Sequence, residues 1–364
     1  MATTFQDISQ EEVRGSFADI EVLGMNGLDR MKAAIQRQLP PPPIHYLTGL
    51  RPTEAGYGTC TFTMPASPWW LTPSGYFSWG TLAWLADAPL GGAVVTILPP
   101  GAILATSDLS MNFLRPAMPA SGTLIGRARL IHAGKSLGLA ECTIEDNQGR
   151  LLAHGTTRCF INQLLSPPPD PLDCSEPFVE PQYESPHPWE RPHEGAETPQ
   201  EAWDTMSGLE VMQAHIAGEL PRPPVSHLLG TQIARAEEGK VEVTMPASGW
   251  LASPAMTTYG GALGYLGDLT LALAVQTTIP KRTVYSPLDL KVNFLRPVMP
   301  DSRLLTGHGT IAHRGRSMAV AHCDITNEDG KTVAVATCSC LILPDRAWNA
   351  DEPVEHDEVD GRPR

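Results

Sequence analysis

The sequence predicts an α+β protein made of two copies of one unit, each a long helix wrapped by a curved antiparallel β-sheet. Three observations predict this fold class. The chain of 364 residues contains an internal repeat without gaps, each copy holds one long apolar stretch with helical spacing, and alternating apolar and polar residues follow that stretch. Strands that alternate in this way turn one face to a core, so they are expected to pack against the helix.

The internal repeat is the strongest of these signals. Its register runs from Met25–Ile161 onto Met206–Ile342 at an offset of 181 positions, with roughly four positions in ten identical. Three motifs recur at this offset: MPAS at 64–67 and 245–248, NFLRP at 112–116 and 293–297, and GKS at 134–136, which returns as GRS at 315–317. Because each copy is long enough to bury a core, the repeat indicates a duplicated domain.

The repeat divides the chain into five segments. We expect an N-terminal segment at 1–24, a first domain at 25–161, a Pro-rich acidic linker at 162–205, a second domain at 206–344 and an acidic flexible tail at 345–364. The linker has ten acidic residues and one basic residue with little apolar periodicity, so it is expected to be extended. The low apolar content of the tail is typical of mobile segments.

Each copy is expected to contain, in order, two short strands, one long helix and four further strands. A proline precedes and a proline follows the helix, at Pro73 and Pro99 in the first copy and at Pro254 and Pro280 in the second. The apolar positions of the helix are Leu82, Leu85, Ala86 and Leu90, and in the second copy Leu263, Leu266, Leu271 and Val275. The strands after the first helix are predicted at Ile103–Leu114, Gly122–His132, Leu137–Asp146 and Leu151–Ile161.

Composition excludes several classes of protein. The chain has 26 Lys and Arg against 40 Asp and Glu, a formal net charge of −14, which does not favour binding to nucleic acid or to an anionic membrane. No apolar run approaches the length of about 18 residues that a membrane-spanning helix needs, and the N-terminus has no basic start followed by an apolar stretch. We therefore expect a cytoplasmic protein.

The seven cysteines do not follow the spacing of a disulfide framework. Cys142, Cys159, Cys323 and Cys340 fall in alternating apolar segments and are expected to be reduced core residues. Cys338 and Cys340 are too close in sequence for an ordinary zinc pair, so no metal site is predicted. The chain also lacks the HExxH and GxxxxGK[ST] motifs of metalloproteases and nucleotide-binding proteins. The letters of a GxSxG motif occur at 134–138, but they fall in a turn between two predicted strands, so no nucleophile elbow of a serine hydrolase is predicted.

The start of the predicted helix carries a resemblance to a known family. The matching residues are Tyr259-Gly260-Gly261 with Asp268 in the second copy, and Ser78-Trp79-Gly80 with Asp87 in the first. Together with the NFLRP and GKS or GRS motifs, this pattern resembles the hotdog-fold acyl-CoA thioesterases of the PaaI-like type. That family begins the helix with His-Gly-Gly and places an aspartate nine residues after the histidine. The aspartate is kept in both copies, and the histidine is replaced in both.

The resemblance implies that the two hotdog units of this chain pair with their helices side by side and that each active site straddles the pair. The helix aspartate of one unit then positions water or attacks the thioester, and N–H groups at the helix start of the other unit polarise its carbonyl. Physical chemistry supports these roles. A helix start offers unpaired N–H groups and a positive dipole, and an aspartate on a partly buried helix can have a raised pKa.

Carried over position by position, the resemblance gives two composite sites. The first combines Asp87 and Thr106 with Tyr259, Gly260, Gly261 and Ser253, and the second combines Asp268 with Ser78, Trp79 and Gly80. The hydroxyl residue that the family places before the FLRP tract is kept as Thr106, whereas the second copy has Pro287 there, next to Ser286. The first site is therefore expected to be competent, and the second to be weaker or silent.

Cations in the recurring motifs are candidate ligands for the phosphates of coenzyme A. These residues are Arg115, Arg296, Lys135 and Arg316. An ordinary role at strand ends and turns is the alternative for them. The resemblance implies no metal or redox cofactor, and it implies a homodimer of the double-hotdog chain, because hotdog pairs commonly assemble further.

The implied function is hydrolysis of an acyl-CoA to free acid and coenzyme A. The alternative is a non-catalytic double-hotdog protein that binds acyl-CoA or an acyl ligand. A hotdog hydratase or dehydratase is disfavoured, because neither Asp108 nor Asp289 is followed five positions later by His. The acyl group cannot be assigned from sequence, although the bulky Trp84 and Tyr265 on the helices favour a short or aromatic-shaped pocket.

Overall fold

The computed structural model describes residues 7–301 and 303–344, so the predicted tail at 345–364 lies outside the described residues. Both repeats show the same order of elements, with two short helices, two strands, one long helix and further strands. The helices are α1 (Gly27–Ile35), α2 (Pro43–Thr48), α3 (Trp79–Val95), α4 (Gln200–Thr205), α5 (Gly208–Ala217), α6 (Pro224–Leu229) and α7 (Gly260–Gln276). The strands are β1 (Arg51–Gly56), β2 (Thr59–Pro65), β3 (Ala102–Phe113), β4 (Thr123–Ala133), β5 (Leu137–Glu145), β6 (Leu151–Gln163), β7 (Gln232–Glu237), β8 (Lys240–Pro246), β9 (Thr283–Pro287), β10 (Asp289–Phe294), β11 (Leu304–Arg314), β12 (Met318–Thr326) and β13 (Thr332–Pro344).

The first unit follows the prediction closely. The long helix α3 lies between the two prolines, and the four predicted strands correspond to β3, β4, β5 and β6 with ends that differ by no more than two residues. Alternation is clear in β5, where every second residue is buried. This burial pattern places one face of the sheet on the helix, as amphipathic strands require.

The second unit differs at the strand that follows its long helix. Where β3 is one strand of 12 residues, the corresponding stretch is divided into β9 and β10, with Leu288 between them. Pro287 ends β9 because proline has no N–H to donate to a ladder. β9 pairs with β13, while β10 pairs with both β13 and β3.

The two units share one antiparallel sheet. Its strand order is β1-β2-β4-β5-β6-β3-β10-β13-β12-β11-β8-β7, so the junction between the units is the pair β3 and β10. Asp108 on β3 accepts hydrogen bonds from Arg158 of its own unit and from Lys291 of the other. This shared carboxylate helps to bind the units at the junction. The feature that recurs is a backbone bond within each unit, since the N–H of Arg158 donates to Asp108 and the N–H of Ser339 donates to Asp289.

The long helices α3 and α7 pack against each other in antiparallel directions. The start of α7 meets Asp87 of α3, and the start of α3 meets Asp268 of α7. Trp70, Trp84 and Tyr265 are buried at this crossing, where their rings contact one another. Trp69 and Trp250 are also buried, and their indole N–H groups donate to the carbonyls of Arg191 and Glu11. The tryptophans are therefore packing residues of the core.

Each unit begins with two short helices that apolar periodicity does not predict. The second of each pair is one short segment of six residues, too short for a helical stripe to be visible. A signal for its ends does exist in the sequence. Pro43 and Pro224 stand in the first turn, and Gly49 and Gly230 end the helices with positive φ of 72° and 71°.

The linker is extended, as expected, but it is fixed to both units by specific contacts. In the first unit, the hydroxyl of Ser67 donates to the carbonyl of Trp189 at 3.0 Å, and in the second unit the carbonyl of Arg222 accepts from the N–H of Ala196 at 3.0 Å. Its last residues form α4, a helix that was not predicted. The linker therefore belongs to the packed structure despite its acidic composition.

All seven cysteines are free thiols, and the four that were predicted to be core residues are buried. Within residues 7–301 and 303–344, no helix combines the length and apolar character needed to cross a bilayer. In the same part of the chain, no group of three His, Cys, Asp or Glu side chains is placed to hold a metal ion.

Candidate active site

Each long helix carries one buried aspartate, which lies at the start of the other helix. Asp87 is 7% exposed and Asp268 is 2% exposed. The antiparallel crossing of α3 and α7 brings each carboxylate to the first turn of the opposite helix. The structure thus juxtaposes the predicted helix-start residues and aspartates in both combinations.

Asp87 contacts the start of α7. Its Oδ2 accepts a hydrogen bond from the N–H of Gly261 at 2.9 Å, and a Cβ on Gly260 would lie 2.8 Å from the same oxygen. The hydroxyl of Tyr259 donates to the carbonyl of Trp84 at 2.5 Å, and the two rings pack edge to face with centroids 5.5 Å apart. This buried tyrosine ring occupies the space at the helix start near Asp87.

Asp268 contacts the start of α3. Its Oδ2 accepts hydrogen bonds from the hydroxyl of Ser78 at 2.5 Å and from the N–H of Gly80 at 2.7 Å. Ser78 is the N-cap of α3, and its hydroxyl also accepts from the N–H of Gly80. Because Ser78 corresponds to Tyr259 in the repeat, a small side chain stands here where the other site has a ring.

Burial raises the pKa of Asp87 and of Asp268 to about 6 in each case. The N–H of Gly261 opposes this rise for Asp87, and Ser78 and Gly80 oppose it for Asp268. A carboxylate with such a pKa is mostly ionised at neutral pH and still basic enough to take a proton from water. The helix-start N–H groups that were expected to face a carbonyl are donated to the aspartates, so in this structure they hold the carboxylates in place.

A cavity of about 440 Å³ opens beside Asp268. Its wall includes Ser78 and Trp79 from the first unit and Asp268 and Ser286 from the second. This volume is in the range of small-molecule sites. The cavity is composite, since both units contribute to it, as the resemblance implies for an active site.

The cavity does not extend to the other aspartate. The residues that line it do not include Asp87, Thr106, Tyr259, Gly260 or Gly261. The cavity therefore lies at the second of the two expected composite sites, whereas the sequence favoured the first as the competent one. At the helix start that faces Asp268, the Ser78 hydroxyl stands where the other site has the Tyr259 ring. Which of the two sites is competent stays a prediction.

Thr106 and Ser253 lie outside this cavity. Thr106 on β3 is a hydrogen-bond neighbour of Cys159, whose pKa is raised to about 12 by burial and by the charge of Asp87. Thr106 therefore shares the neighbourhood of Asp87, as predicted. Ser253 is held in the turn before α7, where its hydroxyl accepts from the N–H of Ala255 at 3.3 Å.

The four candidate cations for coenzyme A do not line the cavity. Arg115 comes nearest in the chain, because the next residue, Pro116, is part of the wall, and its guanidinium donates to the carbonyl of Leu151 at 2.8 Å. Arg296 donates to the carbonyl of Thr332 in the same way at the other strand end. The remaining two are exposed in the turns β4–β5 and β11–β12: Lys135 and Arg316.

Most of the lining residues were missed by reasoning from the sequence, and three of them carry polar groups of interest: Ser286, Trp203 and His215. The hydroxyl of Ser286 is 2% exposed and has no hydrogen-bond partner among the described residues. In the sequence, Ser286 was noticed only as the neighbour of Pro287, because Pro287 is the position that corresponds to Thr106. Trp203 from the linker and His215 on α5 also line the cavity, and the ring of His215 bonds the hydroxyl of Thr198 at 2.9 Å. Both come from segments whose position depends on tertiary packing.

Two family models match the chain, one in each unit. Residues 50–161 match the model described as acyl-CoA thioesterase C-terminal domain, and residues 256–334 match the thioesterase superfamily. Together the matches span just over half of the chain and include Asp87 and Asp268.

Solved structures share the fold of the whole chain. The tesB protein of Mycobacterium avium subspecies paratuberculosis is 13% identical with a TM-score of 0.52, and the match covers 87% of this chain and 100% of that one. A conserved protein of unknown function with a hot dog fold from Alicyclobacillus acidocaldarius is 14% identical with a TM-score of 0.50, covering 80% and 95%. At these identities the likeness concerns the fold alone.

One relative matches by sequence over a shorter stretch. A Deinococcus radiodurans protein named "Putative esterase" is 27% identical over 116 residues, which is 32% of this chain and 71% of the relative. The family matches and the shared architecture lead to one conclusion. The chain belongs to the thioesterase superfamily, as a double-hotdog protein whose class of chemistry is hydrolysis of thioester bonds. The α+β fold class and the family resemblance inferred from the sequence are confirmed.

Proposed function

We propose that this chain hydrolyses acyl-CoA thioesters to a free acid and coenzyme A, and that the reaction takes place beside Asp268 between the two hotdog units. One observation carries the proposal. A buried carboxylate, held by Ser78 and Gly80 of the opposite unit, stands in the wall of a cavity of ligand size. Perturbed carboxylates in such positions are typical of active sites.

In the proposed mechanism, Asp268 is the general base. The ionised carboxylate takes a proton from a water molecule, and the water oxygen attacks the carbonyl carbon of the thioester. The carbon–sulfur bond then breaks, and the sulfur leaves as coenzyme A after it receives the proton. Direct attack by the carboxylate, which gives an anhydride that water opens, is the second route from the same geometry.

Two further groups support this assignment of roles. The unpartnered hydroxyl of Ser286 lines the same cavity and is available to orient the attacking water. The first turn of α3, where Gly80 lies, turns its positive end toward the site and favours the negative charge that develops on the carbonyl oxygen. Asp87 does not line this cavity, and we assign it a structural role at the start of α7, where it accepts from the N–H of Gly261.

The proposal also includes a contact for the phosphates of coenzyme A and a location in the cell. The position of Arg115 next to the cavity wall makes it the candidate of choice for a phosphate contact, ahead of Arg296, Lys135 and Arg316. The mechanism calls for no metal or redox cofactor. Seven free cysteines suit a reducing compartment, which supports the cytoplasm as the location.

A second candidate function is an acyl-CoA binding protein without catalysis. The observation that favours it is the loss of the family histidine at both helix starts, where Ser78 and Tyr259 stand instead. A thiol-release assay with short, long and aromatic acyl-CoAs separates the two functions when thermal unfolding is followed in parallel. Release of free thiol well above the rate without protein supports the enzyme. A raised Tm without thiol release would show a binder.

A further inference from the structure

Beyond Asp268 the cavity continues as a groove along α7. Asp268, Leu269, Ala272, Leu273 and Gln276 all line it, which is the spacing of one stripe on a helix. From Asp268 to Gln276 the stripe covers eight residue steps, so the groove follows the helix for roughly 12 Å at the rise of an α-helix.

The opposite wall of the groove is mostly apolar. It is formed by Met212 and Ile216 on α5, and its floor by Val225 and Val243 from α6 and β8. A long apolar groove that starts at a polar, catalytic end is the shape that an extended acyl chain needs.

The corresponding space in the first unit is filled by side chains. Phe62 stands at the position of Val243, and His45 at the position of Ser226, with their rings 6.5 Å apart and inclined at 72°. The Phe62 ring lies against α3, because a Cβ on Gly92 would be 3.3 Å from its Cε2 atom. Two rings therefore occupy what is open in the second unit.

Residue differences between the two units on other helices also change the volume of the groove. Arg30 on α1 stands at the position of Val211, and its guanidinium donates to the carbonyl of Ala102 at 3.0 Å. On the long helix the exchange runs the other way, since Leu273 replaces Gly92 and returns part of the volume. His215 likewise replaces the smaller Ala34. The open groove therefore coincides with the exchanges to Val243, Ser226 and Val211, which replace Phe62, His45 and Arg30.

We propose that this groove is an acyl-chain site for a straight chain of about eight to ten carbons, a length that follows from its extent along the helix, and that Val243 and Ser226 set this preference. The inference rests on the proposed function, which places the thioester at Asp268. The short or aromatic pocket expected from Trp84 and Tyr265 is not supported by the structure. Those two rings pack on each other with centroids 6.4 Å apart, and neither lines the cavity.

The test compares chain lengths in the full-length protein. The ratio of kcat/KM for decanoyl-CoA over butyryl-CoA is measured in the wild type and in Val243→Phe, which introduces the side chain found in the first unit. Each buried methylene favours binding by about fourfold at most, so the wild-type ratio is expected to exceed about tenfold. Val243→Phe is expected to lower the ratio by about tenfold or more.

Two additional variants keep the test decisive. Ser226→His fills the groove from α6 and is expected to lower the ratio in the same direction, so a folding failure of one variant leaves the other. Phe62→Val is the matched control at the corresponding position of the first unit, and it should leave the ratio at the wild-type value. Thermal unfolding of each variant shows that it is folded.

The outcomes separate this inference from the proposed function. If thiol is released but the wild-type ratio is near one, or neither filling variant changes it, the acyl-chain site is overturned while the enzyme stands. If no acyl-CoA releases thiol, the proposed function fails, and calorimetric binding of decanoic acid decides the inference. Binding that Val243→Phe abolishes supports the chain site, and equal binding, or none in the wild type, overturns it.

Discussion

Asp87 and Asp268 occupy the same position on corresponding helices, and burial raises the pKa of each to about 6, but the cavity of about 440 Å³ is lined by Asp268 and not by Asp87. The difference lies in the residue that faces each carboxylate from the opposite unit. Tyr259 places a buried ring at one helix start, and Ser78 places a hydroxyl at the other. This difference in side-chain volume supports the proposed assignment of the active site to Asp268.

The pH dependence of turnover follows from the state of Asp268. The carboxylate is the active form, so kcat/KM should fall as the pH falls through about 6 and reach a plateau above about 7. At pH 5 the value should be about tenfold below the plateau. A profile from pH 4.5 to 8.5 with decanoyl-CoA measures this limb, and a flat profile across that range would contradict the role of Asp268.

Substitution of Ser78 should shift the acidic limb of the pH profile of kcat/KM. Its hydroxyl stabilises the ionised carboxylate, so Ser78→Ala should raise the pKa of Asp268 and move the acidic limb to higher pH. Tyr259→Phe is the matched control at the corresponding position, where the lost hydroxyl bonds the carbonyl of Trp84. In Tyr259→Phe the acidic limb should stay at the pH at which the wild type shows it. Equal displacement in both variants would show a general effect on folding.

At the scale of residues, spacing in the sequence is sufficient to identify both aspartates and both helix starts. It is not sufficient to choose between the two sites. Thr106 and the glycines of the second unit favoured the site of Asp87, whereas the open space depends on rings such as Phe62 and His45. These side chains reach the site through tertiary packing, which a linear motif does not contain.

The crossing of α3 and α7 depends on the absence of side chains at a few positions. A Cβ on Gly261 would lie 2.8 Å from the carbonyl oxygen of Trp84 and 2.9 Å from its Cα, which leaves no room between the helices. A Cβ on Gly264 would have its nearest neighbours at 3.6 Å and 3.8 Å, which is ordinary contact. The close crossing therefore requires glycine at position 261 but does not require it at position 264.

This difference gives a prediction at the scale of elements. Gly261→Ala should lower the free energy of unfolding by about 1–3 kcal/mol, because the new methyl group must displace backbone atoms of α3. Gly264→Ala is the matched control and should be neutral or stabilise by up to about 1 kcal/mol, because alanine favours a helix over glycine. Denaturant unfolding measures both. Equal stability of the two variants would contradict this account of the crossing.

Strand alternation predicted the elements of the first unit well. The ends of β3 to β6 follow from alternation and turns that are local in sequence. The division of the corresponding strand into β9 and β10 was not predicted, although Pro287 was noticed, because its effect depends on which N–H groups the neighbouring strands require. α2 and α6 were missed because six residues carry no visible periodicity, and α1 and α5, of 9 and 10 residues, were missed as well.

A shared sheet and a packed linker hold the two units of the molecule together. One sheet runs through both units, and the linker contributes Trp203 to the cavity wall. The linker has ten acidic residues, and composition alone does not show that it packs on the folded units. Contacts such as that between the indole N–H of Trp69 and the carbonyl of Arg191 at 3.0 Å fix its path.

The homodimer of the double-hotdog chain stays a prediction. The edge strands β1 and β7 carry Pro52, Arg235 and Glu237, which disfavour pairing between sheet edges. The outer face of the sheet offers the alternative, since Ile131 and Phe160 are 47% and 53% exposed there. Sedimentation equilibrium should give twice the chain mass of 39.3 kDa, and Phe160→Glu should shift it toward the monomer. A wild-type protein that sediments as a strict monomer would contradict the dimer.

The most direct test compares the two aspartates in one assay. The turnover of decanoyl-CoA is measured for Asp268→Asn and Asp87→Asn, substitutions that keep the shape of the side chain and an oxygen for the helix-start N–H. Asp268→Asn should lower kcat by about 100-fold or more, as loss of a general base does, and Asp87→Asn should stay within about threefold of the wild type. Equal losses, or a larger loss in Asp87→Asn, would contradict the assignment of the active site to Asp268.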